Sequence, residues 1–590
     1  MLQAPSEVGL PVAIRYVAAL QAQAALLPRP TLPGVALVQP TPDTLKEMAP
    51  HPPRPPTAFP LANYSVSVRV GLVSIITYIC LFHGMTAFGL VGPDEPRYAA
   101  IARDMATGDD WVTPRLHGQP WLEKPILYYW GAAVGYRLFD DSELAARLPS
   151  ALSALAALLA LAWLTRRFYG NLSALLFGLL FPSSIAILVF ARAATPDMLF
   201  SSTLALTLTA AMPLVLVSDL RRVFAFQVAF GTALGLAVLA KGPAGVVLAG
   251  SSCLLGAVMA KRVSFVSRLA GLPALTSFAL IALPWFVLCS LENPEFVQVF
   301  LVSHNLDRYL TPVFRHSQPF WFFVPVILLA LAPWTAGLIA AVQHVFPQRK
   351  GSEWAGSPSV FLAAWALFPV AFFSLSQSKL PGYVLPAVPA TTILLAHALA
   401  LTVRDTKRAR AHGIGLAAVL GAMTLTFLVA PGVESSGVEP GAVRPLSVVL
   451  GIASVLTGYL GHQGRLGDAI ATTALGVALA LGQLNVTVLP TLDPVISPRA
   501  AAKAASVLAD GRPIRSHGLH RAWQYGLEYY LRGPVAAWPH GDSTDMLVVT
   551  TTRGMREMQL AGVSVVLLQS VSDEVLLVQT DSEATWPTYR

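Results

Sequence analysis

Apolar runs long enough to cross a bilayer recur from about residue 70 to residue 488, far more than a soluble core requires. A helix crossing ~30 Å of hydrocarbon needs about 20 residues. Thirteen stretches meet or approach that length: 70–91, 146–164, 172–190, 199–217, 223–240, 245–260, 269–290, 320–342, 358–375, 382–402, 412–431, 446–461 and 468–488. With 54% hydrophobic and 12% charged residues, the whole chain is too apolar for an ordinary soluble domain. The class expected is an α-helical polytopic membrane protein.

The loops set the orientation. Every second one is short and basic: Arg166 and Arg167; Arg221 and Arg222; Lys261, Arg262 and Arg268; Arg349 and Lys350; Arg404, Lys407, Arg408 and Arg410; Arg465. The positive-inside rule places these in the cytoplasm. Loops 92–145, 191–198, 241–244, 291–319, 376–381 and 432–445 then share the outer face, together with everything after about 490. The net charge of +8 is spread over these basic loops instead of forming one patch, which argues against nucleic acid as a partner.

Three domains are expected. Residues 1–65 are Pro-rich and read as a disordered cytoplasmic tail; they lack the basic start and single apolar core of a signal peptide. Residues 66–489 form the membrane domain. Residues 490–590 carry short β-type runs (MLVVTT, VSVVLLQ, EVLLVQT) and a helical pattern, RAAAKAASVLAD, and read as a small outer α/β domain in which the sequence singles out no site residue. An enzyme whose site lies in the membrane domain is expected to keep it when the chain is cut after 490. Cys80, Cys253 and Cys289 each lie in an apolar run without pair spacing, as buried free thiols do.

Polar residues that topology alone does not require gather in the outer loops. In GPDEPRYAAIARDM, Asp94 and Glu95 open a short helix whose Tyr98, Ile101, Ala102 and Met105 form an apolar stripe, suited to lying on the membrane surface. Helix rules alone would make Asp94 a cap and Glu95 a solvated first-turn acid. Arg97 and Tyr98 on the same turn add a base and a phenol. Glu123 and Lys124 precede Pro125; Asp197 follows Pro196 at the mouth of a span, where a carboxylate is costly without a partner or a function. Lys241 is an outer-face lysine. His304, Arg308, Arg315 and His316 share one loop, and Lys379 and Tyr383 begin another span. Acids with Arg and Lys on one face of a bundle suit a lipid phosphate: the bases bind it and stabilise charge as its ester breaks, and a carboxylate accepts a proton from an attacking hydroxyl. No P-loop or strand-borne GxGxxG points to a nucleotide.

At these residues the chain resembles a known group. PDEPRYAAIARDM…GDDWVTPRLHGQPWLEKPILYYW, HNLDRYLTP…HSQPFWFF and SQSKLPGYVLPAVP, in that order over roughly residues 70–400, resemble the lipid A aminoarabinose transferases and related protein O-mannosyltransferase-like enzymes. The resemblance implies the GT-C fold, with about thirteen spans and an outer C-terminal domain. It implies that Asp94, with Glu95 beside it, matches the catalytic acidic motif and Asp197 the second outer-loop aspartate. It also implies a sugar-donor phosphate site at Arg97, Lys124 and Lys241, with Tyr383 near the same pocket, and one divalent metal ion at Glu123 and His304. Pro96 and Trp121 depart from the usual threonine and tyrosine of the aminoarabinose branch.

The function expected is a glycosyltransferase of the bacterial inner membrane. It would move a sugar from a polyprenyl-phosphate donor to a lipid, glycan or protein acceptor on the periplasmic side, 4-amino-4-deoxy-arabinose to lipid A being one case. Asp94, Glu95 and Asp197 form the catalytic set, and Arg97, Lys124, Lys241, Lys379, Tyr98, Tyr383 and Arg308 the phosphate-binding set. The alternative is a secondary transporter or lipid-carrier flippase, which would carry ionisable residues near mid-membrane and broken helices in matching halves.

Overall fold

A computed structural model describes residues 64–140, 142–307, 310, 317–345, 357–430 and 440–581. The expectation for the tail at 1–65 therefore falls almost wholly outside the described residues, as does that for Arg308, Arg315 and His316.

The chain runs through α1 (Val66–Leu81), α2 (Asp94–Thr107), a two-residue hairpin of β1 (Arg115–Leu116) and β2 (Gln119–Pro120), α3 (Leu127–Phe139) and α4 (Glu143–Leu180). Next come α5 (Ile185–Phe190), α6 (Pro196–Leu216), α7 (Val223–Lys241), α8 (Ala244–Met259) and α9 (Leu272–Glu292). After these lie α10 (Phe323–Ala330), α11 (Leu338–Val345), α12 (Pro358–Ser374), α13 (Val388–Thr402), α14 (Thr406–Val429), α15 (Pro440–His462), α16 (Leu466–Gln483) and α17 (Leu489–Ile496). Among the described residues, 8 helices are long and apolar enough to cross a membrane. One of these, α4, carries two of the proposed spans and is broken at Gly170, whose φ of +87° is open to glycine and strained for other residues. Three shorter apolar helices, α1, α8 and α12, coincide with further proposed spans. The stretch 320–342 differs: Phe323–Ala330 and Trp334–Gln343 meet at 107°, so no straight span forms there. Pro333 lies in the break, where it supplies no N–H to carry the helix on.

Burial sorts these helices into an inner and an outer set. In Pro196–Leu216 and Pro381–Thr402, 89% of an apolar 18-residue stretch is buried, whereas in Leu272–Glu292 and Thr406–Val429 the share is 22% and the apolar faces look outward. Two hydroxyls inside Pro196–Leu216 return to the helix's own carbonyls, Thr203 to Leu199 at 2.7 Å and Thr207 to Thr203 at 2.8 Å, which meets those donors within the apolar interior. The loop ends associate as the charge pattern requires. Arg268 donates to the Leu214, Val217 and Ser218 carbonyls and Arg262 to Ser218 Oγ, joining two of the basic loops at one end of the bundle.

The helical run begun at Leu466 continues to Ile496, and a four-stranded sheet follows. Its elements are α18 (Arg499–Leu508), β3 (Ile514–His517), α19 (Arg521–Tyr530), β4 (Met546–Thr551), α20 (Thr552–Leu560), β5 (Ser564–Ser570) and β6 (Val575–Asp581), with strand order β3-β4-β6-β5. β3 and β4 are parallel; β4–β6 and β6–β5 are antiparallel. Alternation along the strands divides two apolar clusters. Leu547, Val549, Val575 and Leu577 pack with α18 and Leu527 of α19, while Met546, Val548, Leu576 and Val578 pack with Trp538 and Met558. This is the small α/β fold read from the short β-type runs.

Candidate active site

The two acids that open α2 point in different directions. The helix cap is Pro93 and has no capping side chain, so Asp94 occupies the first helical position and is not the cap the sequence implied. Its carboxylate takes Arg97 Nη2 at 2.6 Å, one turn on. Glu95 turns inward. Its two oxygens accept four bonds: Arg147 Nε at 3.2 Å and Ala194 N at 2.7 Å on one, Arg147 Nη2 at 2.8 Å and Val91 N at 2.9 Å on the other. Arg147 is wholly buried, and its remaining N–H groups go to the Met85, Phe88 and Gly89 carbonyls. All five guanidinium donors and four carboxylate acceptor positions are thus engaged. Glu95 has no capacity left for substrate, which corrects its placement beside Asp94 in the catalytic set: it holds the loop before α2 to the loop before α6.

Arg97 stands at the centre of the site. Trp121 lies 4.9 Å from its guanidinium carbon, Tyr98 5.1 Å and Tyr525 5.5 Å, so aromatic faces enclose it. Its Nε is buried and meets no acceptor among the described residues. Burial works against the charge, but Tyr98, Asp94 and Glu123 outweigh it and hold Arg97 above the usual arginine range. Tyr98 is pushed above the usual phenol range by burial and then by Asp94, and the charge of Asp197 also reaches it. It therefore stays a neutral hydroxyl near neutral pH, between the two aspartates. The apolar stripe of α2 is buried as expected, but it packs into the protein core against the rings of α3 and not onto a membrane surface.

A second cation–carboxylate pair faces the same region. Asp197, in the first turn of α6 after Pro196, pairs with Lys241 in the last turn of the adjacent α7. Each charge sits at the helix end whose dipole favours it. Gly242, at φ +76°, lets the chain turn directly after Lys241, where a Cβ would meet Phe300 at 2.5 Å. Lys241 Nζ also lies 5.5 Å from the rings of both Phe200 and Tyr383. Lys379, two residues before Pro381, bends back to the Ser376 carbonyl at 2.6 Å, within its own loop. Lys124 is half-buried beside Glu123.

Glu123 Oε1 and His304 Nε2 are 3.8 Å apart. Two ligands of a divalent ion fit that spacing, but no group of three His, Cys, Asp or Glu occurs among the described residues. Water or substrate oxygen would have to complete the shell.

These contacts join segments expected on the outer face: 92–145 with 191–198 through Glu95 and Ala194, and 191–198 with 241–244 through Asp197 and Lys241. They also join 92–145 with 291–319 through Glu123 and His304. Two contributors escaped the sequence reading. Arg147 carried a usable signal, a charge just inside a proposed span. Tyr525 carried none, because only the docking of α19 places it here.

The fold and site define a GT-C-type polytopic membrane protein. The dolichyl-phosphate-mannose-protein mannosyltransferase family matches residues 123–287. An undecaprenyl phosphate-α-4-amino-4-deoxy-L-arabinose arabinosyl transferase of Edwardsiella ictaluri is 30% identical over 406 residues, 66% of this chain and 72% of that protein. The transferase of the same name from Pseudomonas aeruginosa is 31% identical over 331 residues, 56% of this chain and 59% of that protein. The crystal structure of ArnT from Cupriavidus metallidurans bound to undecaprenyl phosphate superposes with a TM-score of 0.73 at 25% identity, covering 88% of this chain and 99% of that one. The chain belongs to the family of these arabinosyl transferases. It spans 59% of the length of the Pseudomonas relative.

Proposed function

We propose that the chain is a glycosyltransferase that moves a sugar from a polyprenyl-phosphate donor to an acceptor at the outer face of the inner membrane. The relatives' names favour undecaprenyl phosphate-linked 4-amino-4-deoxy-L-arabinose as that donor, with lipid A as one acceptor. The observation that carries this reading is Arg97: a buried guanidinium with an unmet Nε, held above the usual arginine range, one turn from an exposed carboxylate. A phosphate supplies what that cation lacks. The ArnT structure of matching fold is bound to undecaprenyl phosphate.

In the reaction an acceptor oxygen attacks the anomeric carbon, the carbon–oxygen bond to phosphate breaks, and polyprenyl phosphate leaves with inversion at the sugar. Arg97 and Lys241 stabilise the negative charge that grows on the leaving phosphate. Tyr98 lies against Arg97 and Tyr383 against Lys241, and Lys124 completes the proposed donor set. A hydroxyl acceptor passes its proton to Asp94, the more exposed aspartate. An ionised phosphate acceptor needs no such transfer, and Asp94 and Asp197 then orient it. A divalent ion held by Glu123 and His304 would neutralise phosphate charge. The outer orientation rests on the basic loops at the opposite end. The transporter alternative needs mid-membrane charges, whereas the charges here lie at helix ends.

The test is transfer from a panel of radiolabelled polyprenyl-phosphate sugars in membranes containing the protein. Label moving into lipid A or another membrane acceptor is expected. No incorporation from any donor, with folded protein and native acceptors present, would overturn the reading.

A further inference from the structure

The C-terminal domain reaches into the site. Helix α19 lies against the first outer loop, and residues of its second half make the contacts. Glu528 Oε2 meets His117 Nε2 at 3.0 Å, the Tyr529 carbonyl accepts from Arg103 at 2.8 Å, and the Tyr529 hydroxyl meets that of Tyr136 at 3.0 Å. Tyr530 Oη accepts from Leu90 N at 2.8 Å and donates to Glu143 at 3.0 Å. Below the helix, Arg499 pairs with Glu143 and Asp493, fixing the domain to the start of α4. Residues 525, 528 and 529 are spaced i, i+3 and i+4, so they project from one face of α19. Seating the other two places the Tyr525 ring on the Arg97 guanidinium, at 5.5 Å.

The type of contact matters. A carboxylate or carbonyl on Arg97 would consume N–H groups that a phosphate needs. An aromatic face holds the guanidinium plane by cation–π attraction and takes none of its donors. Asp94 at 2.6 Å and the Tyr98 hydroxyl at 3.5 Å already accept from Nη2, while Nε is buried and without an acceptor among the described residues. Trp121 comes from the membrane domain, Tyr525 from the domain beyond it.

We propose that Tyr525 is a positioning residue through which the C-terminal domain orients Arg97 for the phosphate of the polyprenyl carrier. The inference rests on the phosphate-binding reading of Arg97. It also corrects the expectation that a chain cut after 490 keeps a complete site, since the cut removes a wall of the Arg97 enclosure.

The experiment uses the full-length protein in lipid nanodiscs and undecaprenyl phosphate as the probe. Binding and melting temperature are measured for the wild type, Tyr525→Phe, Tyr525→Ala, Tyr525→Leu and Arg97→Ala. Loss of one cation–π face weakens binding by about five- to tenfold in the Ala and Leu variants, with Phe close to wild type and the melting temperature unchanged. Leu fills the space without a π face, so Leu binding as well as Phe would reduce the contact to packing and overturn the proposal. Wild-type affinity in Tyr525→Ala would overturn it as well. If Arg97→Ala loses binding while the Tyr525 variants do not, only this inference falls. If Arg97→Ala binds as the wild type does, the phosphate reading of the site falls with it.

Discussion

Asp94 and Glu95 sit side by side on the first turn of α2, yet the Asp94 side chain is 55% exposed and that of Glu95 7%. Successive helical residues point about 100° apart, so one acid looks into the site and its neighbour into the core. Each has an arginine, and the two pairs differ in completeness. Arg147 spends every N–H on Glu95 and three carbonyls, whereas Arg97 keeps a buried Nε without an acceptor among the described residues. On the proposed function, the closed pair holds structure and the open one takes the phosphate. That difference separates scaffold from site more sharply than the identity of the residues does.

The largest effect expected from breaking the comparison is on folding. Replacing Glu95 with Ala leaves Arg147 charged and buried without its partner, a loss of about 3–5 kcal/mol. Thermal unfolding in lipid should show a large drop for Glu95→Ala and little change for Asp94→Ala. Equal melting temperatures would refute the scaffold role.

The Asp197–Lys241 pair lies between these extremes, with both side chains about a quarter exposed. Breaking a pair of that exposure changes stability by about 1 kcal/mol or less. If the pair served only structure, the double variant Asp197→Asn with Lys241→Met would recover what each single change loses. The site reading predicts instead that stability is recovered and transfer stays at least about tenfold down, the loss expected for one charged contact to phosphate. Full recovery of transfer would leave Lys241 as a helix-end partner and nothing more.

How much of this was legible follows from where each residue's partner lies in the chain. Twenty-residue apolar runs and alternating basic loops are local patterns, and the helices follow them closely; the bend at Pro333 was marked by a proline but not its 107° angle. Arg97 and Asp94 are one turn apart, and their pairing follows from helix geometry. Asp197 and Lys241 were singled out because charges at span ends need a reason. Glu95 was misjudged since its partner, Arg147, lies 52 residues on and the choice of face depends on packing. Lys379 reads as a site lysine in SQSKLPGYV, yet its own loop supplies its acceptor. Tyr525 was out of reach because its place depends on how one domain seats on another.

The measurement that bears most directly on the whole account is transfer from a labelled polyprenyl-phosphate sugar by Asp94→Asn, set beside the wild type at equal amounts of folded protein. Removing an acid that orients or deprotonates the acceptor should lower transfer by about 10²–10⁴-fold with the melting temperature unchanged. An Asp94→Asn protein that folds and transfers at the wild-type rate would contradict the account.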